Sequence, residues 1–382
     1  MASATQQPSA MVVANPALIQ LQQPQEMTTA KEQGKLGPLI RLSGIRTNQL
    51  PPVEGGRGPG DCNLAWFLAS LLREAVPFIE SVAPKGDAKR DEKKREWKPK
   101  GVKSYRESAA DVELFERVIG AGELEMVKKQ QKEGGLSLDS KGVSGEGGGE
   151  TWVCRRSVHE DARETLTASW EEFRDCFKDR HAETEKMFTP SVVKMEKVVV
   201  WDCAGVPPQR IAGETWHNFT LCVLEARHHI GKPLKDRTFP ILQMTCSIIE
   251  DNNDKKEKPE FLIISLTVPD WFTSSTSVLQ THREGNDDSD KGTVIASYAS
   301  IERFRKLPTP SSPTTSKEES SRRDKIEWLM ALTSDASGVL PRWVQNLALP
   351  GQIAKDVSLF LGWIVKERTK TSSGLHSEAE QV

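Results

Sequence analysis

The sequence predicts an α+β fold, a curved antiparallel sheet of about seven strands wrapped around a long C-terminal helix, with a helical N-terminal extension. Three observations lead there. From Thr151 onward, short apolar runs of strand character follow one another, separated by polar connectors. No long helix interrupts the later runs, so neighbouring strands join as hairpins rather than as crossovers. The chain then closes on one extended amphipathic segment, the only large partner for the sheet's apolar face.

Composition sets the outer limits. The chain has 382 residues, 37% of them apolar and 28% charged, which suits a normal core diluted by polar linkers. Its formal net charge is −2, which gives no electrostatic reason to expect nucleic acid. The basic run from Lys89 to Lys103 is interrupted by acids and reads as a solvated linker, with contact to an anionic membrane as the second reading. Six cysteines (Cys62, Cys154, Cys176, Cys203, Cys222, Cys246) form no C-x-x-C pair and are expected to be reduced thiols. No signal peptide and no membrane-length apolar run is evident, so the expectation is a soluble cytoplasmic protein, peripheral at membranes at most.

Residues 1–60 are rich in Gln, Pro, Ala and Gly and are expected to be a disordered arm. An amphipathic helix is predicted over 61–82, with Leu64, Phe67, Leu68, Leu71, Leu72, Val76 and Ile79 on one face and Asp61 as cap. Residues 83–150 read as a charged, Gly-rich linker holding a short helix at Ala110 to Ile119. The segment "TWVCRRSVHE" alternates as a strand, and "ETLTASWEEFRDCFKDRHAETEKMF" is helical until Pro190. Six further strands follow: "VVKMEKVVVWD", "NFTLCVLEARHHI", "FPILQMTCSII", "FLIISLTVP", "TVIASYASIERF" and "IEWLMALTSD". The final helix has Pro341 at its first position, a bend expected near Pro350 and Gly351, and an apolar stripe of Ile353, Val357, Phe360, Leu361 and Ile364. Residues 369–382 are expected to fray. This order is that of a helix-grip architecture, whose interior is a natural ligand cavity.

Residues 151–368 resemble the START-like domain family, mainly fungal, that is catalogued as a domain of unknown function. The matching segments are "WVCRRSVHE", "SWEEF" leading to "FTP", "LEARHHIGKPLKDRTFPIL" and "WLMALTSDASGVLPRWVQNLALPGQIAKDVSLFLGWI". The last segment also resembles the better-known START lipid-transfer domains, in which a strand ends in an Asp- and Gly-containing turn before a Pro starts the closing helix. Here those positions are Asp335, Gly338 and Pro341. A second similar feature is a Pro-containing turn followed by Arg and Phe, here Pro233, Arg237 and Phe239. The resemblance implies a non-catalytic domain that binds, and transfers or senses, a lipid or other hydrophobic small molecule; it implies no cofactor.

The candidate ligand contacts are Glu225, Arg227, Arg237, Trp343, Val357 and Leu361. Glu225, Arg227 and His229 share one side of a strand, and inward-facing charges there would need each other or a ligand head group. On the opposite reading, Cys222, Leu224 and Ala226 face inward. Arg237 also reads as a turn contact. His228 and His229 are adjacent and cannot share one metal from a regular strand, and no catalytic motif occurs; Ser157 and His159 share a face without a nucleophile elbow. Trp152, Trp170, Trp201, Trp328 and Trp363 fall in regular elements and read as core. An enzyme of cyclase or hydrolase type and a protein-interaction adaptor remain the competing classes.

Overall fold

The computed structural model describes residues 37–53, 63–83, 96–133, 149–249, 257–274, 293–307, 323–338 and 342–379. Its elements, in chain order, are α1 (Leu64–Glu80), β1 (Lys98–Lys103), β2 (Val112–Ile119), α2 (Ala121–Glu133) and β3 (Glu150–Glu160). Next come α3 (Trp170–Phe173), a π-helical turn (Arg174–Asp179), α4 (His181–Phe188), β4 (Val192–Trp201), β5 (Gln209–Ile211) and β6 (Glu214–His228). The chain continues through β7 (Arg237–Ile249), β8 (Glu257–Thr267), β9 (Val294–Ile295), β10 (Ser297–Leu307) and β11 (Lys325–Asp335) to α5 (Arg342–Ala379).

All described strands join one sheet, ordered β1-β2-β3-β11-β10-β8-β7-β6-β4, with β5 beside β6 and β9 beside β7. Every pairing is antiparallel except that of β7 with β9. The seven expected strands are β3, β4, β6, β7, β8, β10 and β11, and they form the predicted meander. β11 returns to β3, so the first and last of the seven are neighbours. With α5 lying on the sheet, this is the helix-grip, START-like fold expected from the sequence.

The differences lie upstream and at the tail. The helix expected at Ala110 to Ile119 is strand β2, paired to β3, and part of the basic run is edge strand β1. Residues 83–150 therefore carry two strands and α2 as well as connecting chain. Part of the expected disordered arm, residues 37–53, is packed: Leu39, Ile40, Ile45 and Leu50 join the core around α1. The cap of α1 is Asn63, whose Oδ1 accepts from Ala65 N at 2.8 Å; Asp61 and Cys62 lie outside the described residues. Helix α5 continues through Pro350 and Gly351 and reaches Ala379 instead of fraying after Arg368. Pro341, the polar loops between the later strands and residues 380–382 lie outside the described residues.

The sheet is buried on both faces. Its outer face carries Trp152, Cys154, Val223, Leu242, Met244, Ile264, Ile301 and Leu329, covered by α1 and the 37–53 segment. Phe78 of α1 meets Trp152 edge-on at 4.8 Å. The segment is held by the Glu74 carboxylate of α1, which accepts from the backbone of Leu39 (2.8 Å) and Ile40 (2.9 Å). The inner face carries α3, the π turn, α4 and α5.

Candidate functional site

Strand register arranges the inner face in rows. One row holds Val112, Ser157, Trp328, Phe304 and Phe261 on five adjacent strands. This row is sealed. Phe173 and Phe177 of the π region and Val357, Phe360, Leu361 and Ile364 of α5 pack onto it in one buried aromatic cluster. Phe177 alone lies 4.9 Å from Phe304, 4.8 Å from Trp328 and 4.8 Å from Phe360, ring centre to ring centre. Val357 and Leu361 are therefore packing residues at the closed end.

The next rows differ. Two residues along each strand come Leu114, Arg155, Met330, Glu302, Ile263 and Thr245, then Val153, Leu332, Ser300, Ser265, Gln243 and Cys222. Arg155 Nη2 donates to Glu302 Oε1 (3.0 Å), which also accepts from Trp328 Nε1 (2.6 Å), and the guanidinium lies 3.9 Å above the Trp328 ring. Gln243 lies within hydrogen-bonding reach of His181 Nδ1 (3.3 Å) and Ser265 Oγ (3.4 Å), and His181 Nε2 bonds Glu185 Oε2 (2.9 Å). Tyr298 bonds Ser265. Asp356 of α5 faces Arg155, Glu185 and Glu302. The middle of the inner face is thus a polar belt.

The belt also divides the inner apolar side chains. The inner apolar side chains fall into three separate clusters: the aromatic seal, a group around Leu224, Phe239 and Ile241, and a small group of Val153, Leu332 and Ile353. Tyr298 touches the second and third. Between the clusters, Glu185, Tyr298, Met330 and Asp356 keep partial exposure although they lie between sheet and helices.

Burial acts on these groups. It pushes the Asp356 carboxyl up to about 7, helped by Glu185 and Glu302 and opposed by Arg155. Burial alone would lower the His181 imidazole, but the Glu185 carboxylate more than compensates and raises it. His228 is held down by burial, against the pull of Glu185. An unfolded Asp titrates near 4, so the folded chain holds the extra proton from there to about 7. Asp356 consequently costs stability as pH rises through that window. Asp356→Asn should therefore gain melting temperature over the parent as pH is raised from about 5 to about 8. A constant difference across that range would show that Asp356 is not buried among charges.

Glu225 and Arg227 do not line this interior. They lie on the outer face, and it is Cys222, Leu224 and Ala226 that point inward. Nor do they pair with each other: Glu225 accepts from Trp271 Nε1 (2.8 Å) and Arg227 lies 3.4 Å from Asp236. Arg237 is 2% exposed and is a turn contact. Its guanidinium donates to the carbonyls of Lys235, Ala336 and Ser337, tying the β6–β7 turn to the turn before α5. Gly338 in that turn has φ +75°, and a Cβ there would stand 3.4 Å from Arg237 Nη2. The side chain of Trp343 lies outside the described residues. Trp152, Trp201 and Trp328 are core, and Trp170 and Trp363 pack against the aromatic cluster.

Ser157 Oγ and His159 Nε2 do meet, at 2.8 Å. The imidazole is sunk beside Phe173 and Trp328, and burial pushes it down to about 3, with Arg155 adding to the effect. An imidazole held that low is too weak a base to draw the proton from the hydroxyl near neutral pH. Sequence reasoning missed Arg155, Glu302 and Asp356. One signal was present: Asp356 interrupts the apolar stripe of α5 three residues after Ile353.

Fold and interior together define a helix-grip protein with a polar belt across the inner face of its sheet. The family model described as "Protein of unknown function (DUF3074)" matches residues 152–364, more than half of the chain, and the chain belongs to that family. No curated protein matches it. Among solved structures, human StAR-related lipid transfer protein 5 is similar at 14% identity and TM-score 0.37, covering 80% of this chain and 99% of that one. Human STARD10 is similar at 13% identity and TM-score 0.36, covering 78% and 89%. A STAR-related lipid transfer protein from Xanthomonas axonopodis is similar at 11% identity and TM-score 0.32, covering 70% and 96%. These overlaps are partial, and the fold assignment rests on strand order and the position of α5.

Proposed function

We propose that the chain binds a lipid or another hydrophobic small molecule between the inner sheet face and α5, without converting it, as a carrier or sensor. The observation that supports this reading is the polar belt between three apolar clusters, closed at one end by aromatic rings. An apolar guest loses about 0.8 kcal/mol per methylene on leaving a bilayer and regains it in an apolar chamber, so selectivity falls to the polar groups. Here Arg155 pairs with Glu302 and faces Asp356, which also faces the Glu185 carboxylate held by His181. That balance favours a head group that donates hydrogen bonds over one that brings another anion. The cytoplasm is the setting we infer, since the described cysteines are unpaired. Exchange with a membrane would load and unload the chamber.

The test combines mass spectrometry of organic extracts from the purified protein with displacement of a fluorescent lipid analogue. Ser300 sits mid-face between Leu332 and Ser265, so Ser300→Phe should fill the chamber. Overpacking costs about 1–3 kcal/mol, yet the variant should stay folded by circular dichroism while probe affinity drops at least about tenfold, a loss of about 1.4 kcal/mol. Unchanged probe binding in folded Ser300→Phe, or turnover of a bound molecule, would overturn the reading.

A further inference from the structure

We propose that residues 37–53 are a releasable strap on the outer face that controls the polar belt from behind, acting through Thr267 and Tyr298. Acidic side chains of three separate elements fasten the strap. Leu39 and Ile40 donate their backbone N–H groups to Glu74 of α1, and Leu42 donates to Glu150 of β3 at 3.2 Å. Thr47 N donates to Asp270, in the turn after β8, at 2.9 Å. Thr47 Oγ1 adds bonds to Asp270 Oδ2 (2.9 Å) and Ser274 Oγ (2.8 Å). None of these bonds belongs to the strand ladder, so the strap can lift without unpairing a strand. Burial of Leu39, Ile40, Ile45 and Leu50 holds it down, and the entropy of ordering a chain segment opposes that burial. The lifted state is then a minor one, reached by local opening.

The route inward is short. Ile45 N donates to Thr267 O at 2.9 Å. The backbone comes so close at Gly44 (φ +69°) that a Cβ there would stand 2.0 Å from that oxygen. Thr267 is fully buried at the end of β8. Its Oγ1 accepts from Tyr298 N (2.8 Å) and donates to Tyr298 O (3.0 Å). Tyr298 carries the contact to the other face: it bonds Ser265 of the belt, meets Phe239 edge-on at 5.6 Å and touches two of the inner apolar clusters. Two hydrogen-bonded steps thus join strap to belt, a contiguous physical connection of the kind that can carry coupling.

Docking of the strap also takes up a proton. Gly37 lies against Glu74, where a Cβ would stand 2.0 Å from the carboxyl carbon, so the strap itself covers that carboxyl. Burial pushes Glu74 up to about 7, opposed by the N–H groups of Ile40 and Leu39 and by Arg41. Arg41 of the strap faces Glu150 of β3 and Glu123 of α2 as well as Glu74. With the strap lifted, Glu74 returns to water and to an ordinary pKa of about 4.3. A group raised in the docked state favours docking fully below that ordinary value and loses the effect as pH rises through about 7. The strap therefore loosens towards neutral pH.

Hydrogen exchange of the full-length protein reads both strap and coupling without a ligand; only the release of a fluorescent lipid analogue rests on the proposed function. In the parent, the Leu39, Ile40, Leu42, Ile45 and Thr47 amides should exchange together, at least about tenfold faster than the amides of β7. Thr47→Val should quicken them at least about fivefold and quicken the Tyr298 amide with them. Thr47→Ser, which keeps the hydroxyl, should restore the parental rates, and circular dichroism checks that each variant is folded. Release of the lipid analogue should be faster in Thr47→Val than in the parent, yet Thr47→Val should add nothing in a Thr267→Val background. Strap exchange, corrected for intrinsic amide chemistry, should rise about tenfold from about pH 5.5 to about pH 7.5 in the parent and stay level in Glu74→Gln. Strap amides that exchange only with the whole domain overturn the strap. A strap freed by Thr47→Val with Tyr298 unchanged, or an undiminished effect in Thr267→Val, overturns the coupling. Level exchange across pH in the parent overturns the proton link. An analogue that fails to bind at all counts against the proposed function, and the Tyr298 amide then decides the coupling.

Discussion

Val357→Asp should leave little folded, soluble protein. Val357 is fully buried in the aromatic cluster. The new side chain must either stay protonated among phenylalanines or drive α5 off the sheet. Either course costs about 4 kcal/mol or more, against a typical total of about 5–15 kcal/mol. Phe360→Ala, which removes a ring touching Phe173, Phe177, Phe188 and Trp328, should cost about 3–5 kcal/mol and still fold. Soluble yield and thermal melts measure both. Parental stability in Val357→Asp would remove α5 from the sheet and the helix-grip assignment with it.

The second large effect lies on the outer face. Glu327 is fully buried and meets Arg156 (2.7 Å), Arg303 (3.0 Å) and Arg305 (2.7 Å). Glu80 of α1 also holds Arg303, at 2.9 Å, so this network fastens the end of α1 to the sheet. Glu327→Ala removes the buried carboxylate that three guanidinium groups share and should cost about 3–5 kcal/mol. Burial alone would raise the Glu327 carboxyl, but Arg303, Arg305 and Arg156 outweigh it and hold it below the ordinary value. A depressed carboxylate contributes stability that is complete above its unfolded pKa, about 4.3, and fades as pH falls through the folded value. Melting temperature of the parent should therefore decline in the acid range more steeply than that of Glu327→Gln. Parallel curves would mean that the arginines do not act on Glu327.

The seven later strands were legible because their residues alternate or run apolar between polar connectors. Strand β2 was not, and the reason is its position between two layers. Val112 and Leu114 point to the inner clusters, while Phe115 and Ile119 pack against the outer one. A strand apolar on both faces loses its two-residue period, and "DVELFERVI" then also fits a helix. The same double burial left two readings of β6 open, and the one with Cys222, Leu224 and Ala226 inward is the one the structure shows. Glu225 looked like a charge aimed into a cavity, but its partner is a tryptophan from the outer layer. The polar belt was hidden for another reason. Arg155 and Glu302 meet across 147 positions of sequence, and no local pattern announces such a pair. The turn chemistry of Asp335, Gly338 and Arg237 was visible, and the structure gives it the tying role that the sequence offered as an alternative.

A sheet with one wet face must fill its other face completely, because all of its cohesion comes from there. This sheet has a second source. Helix α1 and residues 37–53 form a dry, continuous outer layer, so much of the molecule's cohesion is secured away from the ligand side. The inner layer is released from that duty. It can keep polar groups where a tightly packed core would not tolerate them, and its packing can change without the strands losing their neighbours. Rigidity and receptivity are thus assigned to opposite sides of the same strands, and α1 with residues 37–53, packed on the far face, becomes the condition for a receptive one.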